Sequence, residues 1–170
     1  VPSLNDLDID LPNKGDYIGK TGIFKASNVA NDLTSSIGKL VSWKTNTTGN
    51  RGVWAEVDSS SSTALSRSVC GIVTSDTNGA VPVILLEGII RLDGADVNGS
   101  TGLAETDNKH GFPIYANPGF IGKYTTAPSD FGTGNIVRHL GYIIDFDAGT
   151  AAGTEEFYML FKPDNYFMSL

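Results

Sequence analysis

The feature that most constrains this chain is the regular alternation of short β-type runs with clusters of turn residues. The clusters are rich in Thr, Asn, Gly and Ser, and no helical period of apolar residues persists along the chain. The predicted strands lie at 22–25, 39–44, 52–56, 68–74, 81–92, 113–116, 135–145 and 156–162. This pattern predicts an all-β fold built from small β-barrel or β-sandwich modules.

Composition supports the same fold class. Charged residues make up 18% of the 170 residues, against about 25% in a typical domain. The polar surface therefore comes from Ser, Thr, Asn and Gly, which suit turn-rich β structure better than helices. A chain of this length can form one substantial domain or two small ones.

A faint internal echo favours two tandem modules. The runs at 38–43, 67–73 and 83–85 recur in order and approximate spacing at 111–115, 138–144 and 157–161. We therefore predict a first β module at 21–92 and a second at 93–170.

Residues 1–20 differ from the rest and predict an extended N-terminal arm. Pro2, Pro12 and Gly15 disfavour a helix, as do the Asn and Asp residues between them. The apolar side chains of this arm need a partner surface, either on this domain or on a neighbouring subunit. They are Leu4, Leu7, Ile9 and Leu11.

The other chain end is also apolar, with Tyr166, Phe167 and Met168 near the last residue. Such side chains are unfavourable in water. This segment either closes the barrel or inserts into a neighbouring subunit, and the sequence leaves both alternatives open. With the four apolar residues of the arm, these three form the predicted protein interface.

Two further strand patterns leave alternatives open. The most apolar stretch, 81–92, is divided at Glu87 and Gly88, so it is either a hairpin or one long strand with a bulge. Trp43 and Trp54 lie in neighbouring runs, and we expect them to stack across a hairpin. Core packing is the favoured interpretation of this pair, ahead of a sugar-binding platform.

Charge argues against two partner classes. The formal net charge is −7 and the pI is about 4.6. Such a chain repels phosphate backbones and anionic membranes, so we expect no nucleic-acid and no membrane partner. No apolar run is long enough to span a bilayer and no basic segment precedes one, which predicts neither membrane helix nor secretory signal.

The residue types that carry catalysis are sparse. Cys70 lies in an apolar run and is expected to be a buried, inert thiol. Neither His110 nor His139 accompanies a Gly-x-Ser-x-Gly nucleophile motif, and two histidines with one cysteine argue against a closed zinc site. We expect no enzymatic activity and no cofactor.

Two groups of acidic residues are weak metal candidates. Asp6, Asp8 and Asp10 alternate along the arm, while Asp93 and Asp96 precede Asn98 in a glycine-containing loop. The loop lacks the bidentate acid of an EF-hand, and turn formation by Asp and Asn explains it better. No metal site is predicted.

The second half of the chain resembles a module of tailed-bacteriophage virion proteins. The resemblance lies in Gly111-Phe112-Pro113-Ile114-Tyr115, Thr125-Thr126-Ala127-Pro128, Val137-Arg138-His139-Leu140-Gly141-Tyr142-Ile143-Ile144 and Phe161-Lys162-Pro163. Residues 40–92 are similar to the barrel-like repeat of phage head decoration proteins.

The resemblance implies a non-enzymatic virion structural protein that decorates and stabilises the capsid, a cement protein that bridges coat subunits. The implied partners are the major capsid protein and copies of this chain as a homo-oligomer, at the capsid surface after assembly in the host cytoplasm. One alternative is a tail or fibre-base adaptor. Another is a carbohydrate-binding or receptor-binding β-sandwich, which would expose aromatic rings.

Overall fold

The computed structural model describes residues 9–22, 37–45, 52–57, 60, 69–74, 83–97, 109–147, 154–164 and 168–170. In this part of the chain the regular structure is almost all antiparallel strand, which confirms the predicted all-β class. Only two short 3-10 helices occur there, at Gly94–Asp96 and Pro128–Asp130. Among the described residues, no helix is long and apolar enough to cross a membrane.

Eleven strands are described. They are β1 (Tyr17–Gly22), β2 (Leu40–Thr45), β3 (Gly52–Glu56), β4 (Cys70–Val73), β5 (Ile84–Asp93), β6 (Pro113–Ala116), β7 (Tyr124–Thr125), β8 (Ile136–Val137), β9 (His139–Asp147), β10 (Glu156–Phe161) and β11 (Met168–Ser169). Most coincide with predicted runs within one or two residues, whereas β1, β7 and β11 lie largely outside them.

Nine strands form one curled sheet in the order β3-β2-β4-β5-β10-β9-β6-β7, and β1 pairs with β5. Strands β8 and β11 form a separate two-stranded ribbon. The C-terminal residues therefore pair within this chain, since Met168 lies opposite Val137 and Leu170 donates its backbone N–H to Asn135.

Strand β5 is one long strand with a bulge, the second of the two alternatives for the 81–92 stretch. Lys20 of β1 lies opposite Glu87, but the next residue, Thr21, lies opposite Leu85, so β5 carries one extra residue. The backbones of β1 and β5 come very close together near this bulge. A Cβ atom on Gly19 would lie 2.2 Å from the Glu87 carbonyl oxygen. Glycine is required there because the two backbones are in contact.

The curl encloses one large apolar core. Its buried members come from both ends of the sheet and include Leu40, Ile72, Leu85, Ile114, Ile143 and Phe157. The turn between β6 and β7 closes the open side, because Gly122 donates its N–H to Val57 and accepts one from Leu40. Tyr124 adds a bond from its buried hydroxyl to the Gly38 carbonyl at 2.7 Å.

The described sheet and its core run across the predicted boundary between residues 92 and 93. Residues 17–20, which the sequence assigns to the extended arm, begin β1 and pair with β5. The division into two tandem modules and the arm at 1–20 stay predictions, because residues 1–8 and several connections lie outside the described residues.

Gly141 provides a test of how tightly the sheet is packed. A Cβ atom there would lie 1.8 Å from the Leu160 carbonyl oxygen on the neighbouring strand. We expect Gly141→Ala to lower the free energy of unfolding by about 2–3 kcal/mol in urea denaturation, because the two strands must separate. The matched control is Gly132→Ala, whose nearest atom would be 3.7 Å away. Equal effects of the two substitutions would contradict this account.

Candidate binding surfaces

The last residues of the arm are anchored on the outside of the sheet. Leu11 is buried against Tyr158 of β10, and Ile9 packs against the same cluster. The Tyr158 hydroxyl donates to the Ile9 carbonyl at 3.1 Å and accepts the Leu11 N–H at 3.3 Å. For Ile9 and Leu11 the partner surface is therefore this domain, the first of the two alternatives.

Arg91 on β5 fixes the segment that follows. Its guanidinium donates to the carbonyls of Leu11 and Pro12, and its backbone N–H donates to the Asp16 carbonyl at 3.0 Å. Gly15 donates back to the Arg91 carbonyl at 2.9 Å. The path of the chain from Leu11 to Asp16 is thus held by hydrogen bonds to Arg91 in addition to side-chain packing.

Of the remaining predicted interface residues, the structure describes only Met168. Leu4, Leu7, Tyr166 and Phe167 lie outside the described residues, so their role stays a prediction. Met168 is 60% exposed at the start of β11. The backbone at 168–170 pairs with β8 in a ribbon separate from the large sheet, and the Met168 side chain is accessible, so the choice between closing the barrel and inserting into a neighbouring subunit stays a prediction.

The Tyr158 hydroxyl gives a direct test of the anchor. We expect Tyr158→Phe to lower the free energy of unfolding by about 1 kcal/mol, because a buried N–H loses its acceptor. Hydrogen exchange at Leu11 should accelerate correspondingly. Tyr142→Phe is the control, since the Tyr142 side chain is largely exposed. Unchanged exchange at Leu11 in the first variant would show that the hydroxyl does not hold the segment.

The turn between β6 and β7 is built around one buried amide. The Asn117 side-chain oxygen accepts the N–H groups of Gly119 at 2.8 Å and Phe120 at 3.1 Å. Its amide nitrogen donates to the Tyr124 carbonyl at 3.1 Å. All of these bonds hold the turn in one conformation before any partner is present.

This rigid turn presents two large apolar side chains to solvent. Phe120 is 49% exposed and Ile121 is 53% exposed. Behind them Gly122 has a φ of +69° and sits against Lys39 and Glu56, where a Cβ would lie 3.2 Å and 3.3 Å from their side chains. The Phe120–Ile121 tip is thus an apolar projection on a fixed base.

Basic side chains lie close to this tip. Lys39 is paired with Glu56 at 3.7 Å, and the Lys123 ammonium donates to the Ala95 carbonyl at 2.7 Å. Partial burial lowers the pKa of Lys123, an effect that Asp96 opposes. The surroundings of the tip are therefore of mixed charge, although the whole chain is acidic.

Sequence reasoning missed this tip. The signal was available, because Asn117, Pro118 and Gly119 follow a predicted strand and form a strong turn signature. Two apolar residues come directly after that signature. Apolar residues in a turn indicate either burial or binding, and the distinction depended on whether the turn folds onto the core.

The two tryptophans stack across the β2–β3 hairpin, as expected. Trp43 lies directly opposite Trp54, and the ring centroids are 5.2 Å apart in an edge-to-face arrangement. Trp54 is buried and belongs to a small apolar cluster with Val41 and Ile84. Core packing explains this pair, and Trp54 offers no open ring face for a sugar.

Both histidines pair with carboxylates. His110 lies 3.1 Å from the buried Asp145, and His139 lies 3.1 Å from Asp164. The His139 ring also contacts the rings of Tyr115 and Tyr142. These contacts fit packing and electrostatic roles on and beside β9.

Cys70 is buried in the core cluster at the start of β4. Burial raises the pKa of its thiol to about 11, an effect that the Arg138 charge opposes. The thiol is therefore neutral and shielded at physiological pH, as an inert core cysteine should be.

The acidic loop after β5 is held by an ammonium group. The Lys14 Nζ atom lies 2.9 Å from Asp96 and 3.7 Å from Asp93, and the Asp93 N–H donates to Asp96. Among the described residues, no group of three His, Cys, Asp or Glu side chains is arranged to hold a metal ion. Asn98, Asp6 and Asp8 lie outside those residues.

Comparisons of this chain with protein families, with curated proteins and with solved structures find no match. The features from which its function is inferred are therefore its own surfaces, above all the Phe120–Ile121 tip and the anchored arm.

Proposed function

We propose that this chain is a non-enzymatic structural protein of a tailed-phage particle that decorates the capsid and stabilises it by bridging coat subunits. The observation that carries the proposal is the Phe120–Ile121 tip. In this role the tip inserts into an apolar depression on the coat surface, and the arm before Ile9 extends the contact to a neighbouring coat subunit.

The tip has the physical properties of a binding anchor. Exposed apolar side chains lose water on docking, and this gain is greatest when little conformational freedom is lost at the same time. The three bonds made by the Asn117 side chain supply that rigidity. A flexible loop with the same side chains would bind more weakly.

Closure of the sheet supports a mechanical role for the same turn. Gly122 is bonded to Leu40 and Val57 on the strands across the opening. A load applied at the tip is therefore transferred to backbone hydrogen bonds of β2 and the end of β3 rather than to a hinge. A protein that resists separation of coat subunits needs such a connection.

The alternatives have less support. A carbohydrate-binding module was expected to use Trp43 and Trp54, but Trp54 is buried. A tail or fibre-base adaptor would use the same apolar tip, and it differs from a cement protein in its number of copies per particle.

The tip can be tested directly in a head-binding assay. We expect the double variant Phe120→Ser with Ile121→Ser to bind heads of the encoding phage about thirtyfold more weakly, since an apolar anchor contributes about 2 kcal/mol or more. Its unfolding free energy should change little because both side chains are exposed. Val69→Ser, at another exposed apolar position, is the control. Wild-type affinity of the double variant would overturn the proposed role of the tip.

A further inference from the structure

We propose that β1 pairs with β1 of a second copy of this chain, giving an antiparallel, two-fold symmetric contact centred on Ile18. The paired segment is Asp16 to Lys20, and the contact joins the two nine-stranded sheets edge to edge. This inference is independent of capsid binding, because it concerns the purified chain in solution.

Strand β1 is exposed in an unusual way for a strand with apolar residues. Tyr17 through Thr21 are all exposed, and Ile18 is 55% exposed. Among the strands that the structure describes, β5 is the one that pairs with β1. An antiparallel strand bonds to one neighbour through alternate residues, so the other backbone groups face the open side.

The sequence of this strand is complementary to itself in one register. With the two-fold axis at Ile18, Lys20 of each copy lies opposite Asp16 of the other. The two Ile18 side chains face each other on the same side of the ribbon. On the other side, each Tyr17 ring lies opposite Gly19 of the second copy, where it covers the bare backbone. Opposite charges, apolar pairs and aromatic cover of a glycine all stabilise cross-strand pairs.

The acidic end of the strand has room for the incoming lysine. An open cleft of about 530 Å³ lies beside Tyr17, and Asp10 and Asp16 both line it. Among the residues that the structure describes, the partner of the Lys20 ammonium is Glu87, in an exposed ion pair at 3.6 Å. Exposed pairs of this kind contribute little, so exchanging Glu87 for the two carboxylates of the second copy costs little.

Lysine on an edge strand also protects against unwanted pairing. Here it selects a register: shifting the axis from Ile18 to Lys20 would place the two Lys20 ammonium groups opposite each other. Lys20 therefore favours the pairing centred on Ile18 and opposes that alternative. Lys20 therefore both disfavours non-specific aggregation through the strand edge and determines the register of one specific contact.

A ribbon of five residues per copy buries little surface, so the contact is weak in dilute solution. The buried area is smaller than that of stable dimers. We therefore expect a dissociation constant in about the high micromolar range or weaker. Covalent trapping is therefore the appropriate measurement.

The decisive variant is Ile18→Cys, because the two introduced thiols face each other across the axis. Under mild oxidation it should form a disulfide-linked dimer. Lys20→Cys is the matched control, since two copies of residue 20 are offset by four residues, roughly 13 Å along the strand, too far for a disulfide. The native Cys70 is buried, so we expect it not to form a disulfide in this experiment. Absence of cross-linking in the first variant, or equal cross-linking in both, would overturn the proposal.

Charge reversal gives a second, independent readout. Adding Lys20→Glu to Ile18→Cys replaces two attractive pairs by two repulsive ones, so the yield of cross-linked dimer should fall about tenfold. The control adds Lys162→Glu to Ile18→Cys instead. It changes the net charge by the same amount at another exposed site and should leave the yield of cross-linked dimer unchanged. Equal yields in the two charge variants would contradict the register, while circular dichroism confirms that each variant is folded.

Discussion

Strand β5 holds β1, β4 and β10 at once, and the curl of the sheet follows from how it does so. Its first residues pair with β4, its later residues pair with β10, and β1 runs beside both parts. The extra residue at Leu86 bends the strand between these two regions, as bulges do. The bend lets strands from both halves of the chain line one core, and Gly19 and Gly88 allow the backbones to cross at the bend.

Both candidate binding features depend on that closure. Arg91 of β5 holds the segment from Leu11 to Asp16 on the outside of the sheet, while Gly122 closes the opposite side against β2. The segment from Leu11 to Asp16 and the Phe120–Ile121 tip are therefore both bonded to the same sheet. A protein that joins neighbouring subunits needs this property, because two contacts separated by a hinge would transmit no load between them.

The sequence predicted the all-β class and most strand positions, since turn clusters and β-branched runs act locally. It did not predict β1, because Tyr17 to Gly22 contains two glycines and a lysine and pairs mainly through its backbone with a strand distant in sequence. The apolar character of Phe120 and Ile121 was readable, but their exposure depends on Asn117 and Gly122 fixing the turn away from the core. Leu11 is the reverse case: its apolar character predicts a partner surface either on this domain or on a neighbouring subunit, and only the fold shows that Tyr158 buries it within the domain.

The proposed role requires this chain to cover a capsid lattice. The most direct test is its copy number in purified particles, determined by quantitative mass spectrometry against the major coat protein. If this chain is a decoration protein, its copy number per particle should be comparable to that of the coat subunits and in a fixed ratio to it. A handful of copies would place the chain at the tail or a vertex, and absence from particles would contradict the virion role.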